Sequence, residues 1–131
     1  FVAVRGPGDL DRAFSEVTNA RAGALMVVGG TMFLIERKRL VDLAAKNRLP
    51  AMYGLREYVD AGGLMCYGPD NADMSRRAAT YVDKILKGAK PGHLPIEVVN
   101  RHILIINLKT AGKIGTTIPR ELLKRADQVI E

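Results

Sequence analysis

Three short apolar runs in the sequence each lead into residues that could bind a small molecule. The side chains that follow these runs are Thr31, Tyr53, Arg56, Glu57, Tyr67 and Asp70. An arginine holds a carboxylate by two parallel hydrogen bonds, a carboxylate takes an ammonium group or hydroxyls, and a tyrosine supplies a flat wall with a polar tip. We therefore predict these six residues as contacts to a small ligand.

The same residues also admit a structural interpretation. Tyr53 and Tyr67 would then be core residues at strand ends, and Arg56 would pair with Glu57 or Asp60 on a helix surface. The residue types and their spacing leave both interpretations open.

Patterns typical of enzymes and metal sites are sparse. His93 lies in a stretch rich in Pro and Gly, and His102 lies at a predicted strand edge with no carboxylate pattern around either. We therefore predict neither metal ligation nor general-base catalysis for them. The single cysteine, Cys66, excludes an internal disulfide, and its apolar surroundings predict a buried thiol. The sequence also lacks the Gly-x-Ser-x-Gly and Gly-x-x-x-x-Gly-Lys motifs. We predict no catalytic residue, no cofactor and no metal.

The net charge of +6 does not form a basic patch along the chain. Residues 1–60 carry nine Lys or Arg and seven Asp or Glu, and residues 61–131 carry eleven and seven. The aromatic content is 5% with no tryptophan, which leaves little material for stacking on bases. Nucleic acid is therefore not a predicted partner.

Strands and helices alternate in the first half of the chain. Strands are predicted at residues 1–5, 24–28, 51–53 and 64–67, and helices at residues 10–22, 33–47 and 56–61. This alternation is typical of right-handed βαβ units, so we predict an α/β fold with a doubly wound parallel sheet. Such sheets bind ligands at the carboxyl ends of their strands, where the six candidates lie. The run at 24–28 predicts cover on both faces, and Ile35 is predicted to face inward.

The second half contains a long helix, a linker and further short elements. Asp70 or Asn71 is predicted to cap a helix that extends to Lys87, and residues 88–95 read as a linker. The remaining predictions are strands at 96–99 and 102–107, a helix at 108–113 capped by Asn107, and a last helix after Pro119 with Val129 and Ile130 inward. We divide the chain into an α/β ligand-binding lobe at 1–67, a crossover helix and hinge linker at 68–95, and a segment at 96–131 that completes the lobe.

Several stretches together resemble one known family. They are RLPAMYG at 48–54, GGLMCYGP at 62–69, RRAATYVDKILKGAKP at 76–91, INLKTA at 106–111, TIP at 117–119 and LLKRAD at 122–127. In this order they resemble the substrate-binding proteins of bacterial ABC importers, in the branch of tryptophan-type and uncharacterised solute receptors.

The resemblance implies one lobe of a type I periplasmic-binding-protein-like fold, and only the carboxyl-terminal part of such a receptor. It implies a periplasmic protein without enzymatic activity, which binds a solute such as an amino acid in an interlobe cleft and presents it to a membrane permease. Residues 67–71 and 91–95 would be hinge crossings. The apolar face of the long helix would be exposed in this piece, so we expect the piece to form a homodimer or to swap elements. The alternatives are a Rossmann-like enzyme lobe, such as a glycosyltransferase half, or the effector-binding lobe of a transcription regulator.

Overall fold

A computed structural model of the chain describes residues 1–98 and 101–131, in which strands alternate with helices. The helices are α1 (Leu10–Asn19), α2 (Thr31–Ile35), α3 (Arg37–Lys46), α4 (Arg56–Asp60), α5 (Asn71–Leu86), α6 (Leu108–Ile114) and α7 (Arg120–Lys124). The strands are β1 (Leu25–Met26), β2 (Ala51–Tyr53), β3 (Met65–Pro69), β4 (His102–Asn107) and β5 (Gln128–Ile130). Among the helices so described, none is both long and apolar enough to cross a membrane.

The strands form one sheet whose spatial order follows the chain order from β1 to β5. β1 pairs in parallel with β2, β2 with β3, and β4 with β5. The Asn107 amide at the end of β4 donates to the Leu64 carbonyl just before β3, at 2.8 Å. Further along, the Asp70 backbone amide just after β3 donates to the Arg101 carbonyl just before β4, at 3.4 Å. β4 and β5 therefore run opposite to the first three strands, so β5 begins at the edge where β1, β2 and β3 end.

The two faces of the sheet are buried against separate apolar clusters. In β4, Ile105 belongs to one cluster, while Leu104 and Ile106 belong to the other. This division follows because successive residues of a strand point to opposite faces. Helices α1 and α3 contribute to the first cluster, and α6 contributes to the second. The predicted α/β fold is therefore confirmed, with a mostly parallel sheet that is covered on both faces.

The chain divides into two compact units, and the larger contains Phe1–Gly68 and Ile103–Glu131. The smaller unit, Pro69–His102, contains α5 and the segment that follows it. Asp70 caps α5, because its carboxylate accepts hydrogen bonds from the Ala72 and Asp73 amides, each at 3.1 Å. The Tyr81 hydroxyl donates to the Pro95 carbonyl at 2.6 Å and fastens the following segment to the helix. The predicted cap and helix are confirmed.

Two predictions for the amino-terminal part are wrong. Residues 1–5 are irregular rather than a strand. The Arg5 amide donates to the Asp9 carboxylate at 3.0 Å, so this backbone group bonds a side chain in the next turn rather than a neighbouring strand. The expected cover on both faces of residues 24–28 also fails, because Met26 and Val28 are exposed. β1 lies at the edge of the described sheet, where cover is incomplete.

The predicted helix at 33–47 is two helices, α2 and α3, which meet at Glu36. The break turns Ile35 outward, so the prediction that it faces inward is wrong. The last predicted helix is also wrong beyond Lys124, because Val129 and Ile130 belong to β5. The predicted strand at 96–99 is not found at 96–98, and residue 99 lies outside the described residues.

Candidate functional site

The candidate site is the edge of the sheet at which β1, β2 and β3 end. Two of these strand ends meet through backbone atoms, at Gly54 after β2 and Gly68 within β3. A Cβ atom added to Gly68 would lie 1.9 Å from the Gly54 carbonyl oxygen. No side chain fits at this distance, so glycine permits the two strand ends to approach each other. We refer to this edge of the larger unit as the carboxyl edge.

A buried tyrosine pair lies below the carboxyl edge. Tyr53 ends β2 and Tyr58 belongs to α4, and each is only 2% exposed. Their rings stack with centroids 4.8 Å apart and planes inclined by 8°. Burial raises the pKa of both phenols, and the neighbouring Glu57 raises that of Tyr58 further, opposed by Arg37. Both phenols therefore stay protonated at neutral pH and can donate hydrogen bonds.

Three polar atoms of this region are buried without a hydrogen-bond partner among the described residues. They are the hydroxyl oxygens of Tyr53 and Tyr58 and the Oε2 atom of Glu57. A buried polar group without a partner costs about 1–3 kcal/mol, so native proteins keep few of them. The side chains of Tyr53, Glu57 and Tyr58 therefore retain hydrogen-bonding capacity that no group of the described residues fills.

Arg56 is fixed by two contacts at the start of α4. Its Nη1 atom donates to Oε1 of Gln128 at 2.9 Å, and its Nε atom donates to Oδ2 of Asp60 at 3.3 Å. Gln128 is the first residue of β5, which begins at the carboxyl edge. The Arg56 side chain remains about half exposed, so a ligand can still reach it. The structural interpretation of Arg56 thus holds in part, because it does pair with Asp60.

The other three candidates lie on different elements. Thr31 is the first residue of α2, shortly after β1, and is exposed. Tyr67 lies in β3 and is 55% exposed, which argues against its interpretation as a core residue. Asp70 belongs to the smaller unit, where it caps α5 and its Oδ2 lies 3.8 Å from Nε of Arg101. These contacts give Asp70 a structural role within that unit.

The structure thus brings Tyr53, Arg56 and Glu57 onto one connection and places Thr31 and Tyr67 on the neighbouring β1 and β3 sides of the larger unit. Their roles as ligand contacts stay predictions. Sequence reasoning did not select Tyr58 or Gln128. Tyr58 falls one helical position after Glu57 and gives no separate signal. Gln128 falls within the predicted last helix, whereas the observed helix ends at Lys124 and Gln128 begins β5. Cys66 is buried, as predicted, and burial raises the pKa of its thiol.

Comparison with known proteins gives one family match. The profile of the family described as ABC transporter substrate binding protein matches residues 3–130. The chain finds no match among curated proteins.

Solved structures with the same fold include proteins from three bacteria. A conserved domain protein from Vibrio cholerae has a TM-score of 0.83 at 23% identity, covering 98% of this chain and 43% of its own. An ABC domain in complex with L-Trp from Streptococcus pneumoniae has a TM-score of 0.81 at 27% identity, with coverages of 98% and 44%. A ligand-free, open substrate-binding protein with adhesive properties from Clostridium difficile has a TM-score of 0.68 at 16% identity, with coverages of 97% and 42%. The chain thus spans less than half the length of each.

Proposed function

The chain belongs to the family of ABC transporter substrate-binding proteins, and we propose that it binds a small solute at the carboxyl edge of its sheet. The match over residues 3–130 is the observation that carries this proposal, because it includes all six candidate contacts. In open α/β sheets, ligands bind outside the carboxyl ends of the strands. The carboxyl edge of this chain is the position at which that rule places a solute.

The chemistry of the carboxyl edge favours an amino acid or a similar organic solute. The half-exposed Arg56 side chain supplies a guanidinium for a carboxylate, and Glu57, whose Oε2 atom is buried without a partner in the described residues, supplies an acceptor for an ammonium group. Tyr67 offers an exposed ring against which an apolar or aromatic part can lie. The neighbour in complex with L-Trp makes aromatic amino acids the first solutes to test.

The transport cycle that we propose needs a second lobe and a permease. The solute would be held in a cleft between two lobes that close by hinge bending, as substrate-binding proteins of importers do. The closed form would then be presented to a membrane permease outside the cytoplasm, in the periplasm of a bacterium with two membranes. Residues 67–71 and 91–95 remain the predicted hinge crossings.

A thermal-shift screen tests the proposed function. The chain is heated with amino acids, sugars and small organic acids, and separately with nucleotides and nucleotide sugars. Each is present at millimolar concentration because one half of a cleft supplies only part of the contacts. We expect a concentration-dependent rise in Tm with one class of solute, and a smaller rise in the Arg56→Ala variant. A rise with nucleotides or nucleotide sugars, and with none of these solutes, would contradict the proposal and favour an enzyme lobe.

A further inference from the structure

We propose that Gln128 is a positioning residue, which holds the Arg56 guanidinium at the carboxyl edge in the orientation that receives a solute carboxylate. This inference rests on the proposed function and adds to it a residue that acts through Arg56. The two residues are 72 positions apart in the chain and meet at 2.9 Å. The bond therefore depends on the fold of the whole larger unit rather than on a local turn.

The geometry gives Gln128 control over the direction in which Arg56 points. Asp60, the other partner, lies one turn along the same short helix and contacts only the Nε atom, at 3.3 Å. A single contact at Nε leaves the outer end of the guanidinium able to turn. The Gln128 Oε1 atom contacts Nη1 and fixes that outer end. Among the contacts described, Nη2 is not engaged, so its two N–H groups remain available for a carboxylate.

The chemistry of an amide suits this role better than a carboxylate would. An amide oxygen accepts the hydrogen bond but carries no net charge, so the positive charge of Arg56 is not cancelled from this side. A glutamate at 128 would hold the guanidinium equally well but would compete with a solute carboxylate for its charge. Two substitutions of Gln128 can therefore distinguish the positioning of Arg56 from the effect of a charge beside it.

The experiment compares Gln128→Ala, Gln128→Glu and the control Glu121→Ala. Glu121 lies on the exposed surface of α7 and pairs only with Lys124 in the described residues. Three probes are used at millimolar concentration: L-tryptophan, indole-3-propionate, which lacks the ammonium group, and tryptamine, which lacks the carboxylate. Binding is followed by NMR titration of the chain, and the mobility of Arg56 is followed without any probe by hydrogen exchange and relaxation of its Nε–H group.

We expect Gln128→Ala to increase the mobility of the Arg56 side chain. We also expect it to lower the affinity for L-tryptophan and indole-3-propionate by about three- to tenfold, which corresponds to one net hydrogen bond. We expect Gln128→Glu to keep Arg56 immobile and yet to lower the affinity for the same two probes. The affinity for tryptamine stays unchanged in Gln128→Ala, and Glu121→Ala behaves as the unmodified chain. A merely structural role would instead change the affinities for all three probes together, or change none of them.

Two results would overturn the inference. Unchanged Arg56 mobility in Gln128→Ala would show that Gln128 does not position the guanidinium. Equal loss of tryptamine and indole-3-propionate binding would show that the effect is not directed at a carboxylate. If none of the three probes binds the unmodified chain, the carboxylate assignment fails together with these solutes as candidates. The mobility measurement still decides separately whether Gln128 holds Arg56.

Discussion

Replacing Gly68 by alanine should destabilise the chain, because the ends of β2 and β3 meet there without room for a side chain. The new Cβ atom would lie 1.9 Å from the Gly54 carbonyl oxygen and 2.8 Å from its carbonyl carbon. Ordinary contacts of this kind need more than 3 Å, so the two backbones must separate by at least 1 Å. Both obstructing atoms belong to the backbone and cannot turn aside as a flexible side chain would.

The expected loss is about 2–4 kcal/mol in the free energy of unfolding. Forcing an additional methyl group into a filled space costs about 1–3 kcal/mol, and the hydrogen bonds weakened at the strand ends add about 1 kcal/mol. Urea unfolding followed by circular dichroism measures this value. An unchanged slope of the free energy of unfolding against urea concentration indicates that Gly68→Ala and the unmodified chain unfold from a similar structure. The displaced strand ends should also lower the affinity for any solute at the carboxyl edge.

Gly54→Ala is the matched control, because a Cβ atom added there meets no other atom within 4 Å. Its stability should stay within about 1 kcal/mol of the unmodified chain, since alanine also restricts the unfolded state. A loss below about 1 kcal/mol for Gly68→Ala, or equal losses for both variants, would refute the argument that the strand ends are held at backbone contact.

Three further predictions concern the buried hydroxyl, acid pH and association. Tyr53→Phe removes a buried hydroxyl that has no partner in the described residues, so urea unfolding should show unchanged stability or a gain of up to about 1 kcal/mol. A clear loss of stability would mean that a water molecule or solute binds this hydroxyl. The hydrogen bond from Arg77 lowers the pKa of Asp73 in the folded chain. The ionised Asp73 carboxylate therefore stabilises α5 above its unfolded pKa of about 4, and this stabilisation is lost as pH falls through the lower folded pKa. Circular dichroism at acid pH should show this loss of helix, and Arg77→Ala should show a smaller pH dependence. Light scattering across micromolar concentrations should show a dimer. Leu86→Glu should weaken dimerisation, because Leu86 is 82% exposed on α5. A constant monomer mass would contradict this prediction.

The sequence predicted those elements whose signals are local. The Asp70 and Asn107 caps, the amphipathic α1 and the apolar β2 follow from residue types within one or two turns of chain. The class of the fold followed from their alternation. Chemistry at strand ends also selected the connection from Tyr53 to Glu57, which the structure places at one edge.

What the sequence could not predict depends on pairing between distant segments. β5 exists through its pairing with β4, and just before it the backbone amide and the carboxylate of Asp127 both hydrogen-bond to the Leu104 backbone, each at 2.8 Å. No local pattern signals this pairing. The edge position of β1, which exposes Met26 and Val28, likewise depends on which strand lies beside it. The contact of Arg56 with Gln128 requires both the reversed direction of β4 and the existence of β5.

The most direct test of solute binding at the carboxyl edge is to map the solute onto the chain. Amide NMR spectra of the isotope-labelled chain are recorded during titration with L-tryptophan and with the solute that gives the largest thermal shift. We predict that the shifted amides cluster at the carboxyl edge, at Thr31, Gly54, Arg56, Glu57 and Tyr67. Shifts at the opposite edge, around Asn107 and Thr110 at the start of α6, would contradict it, as would a spectrum that no tested solute changes.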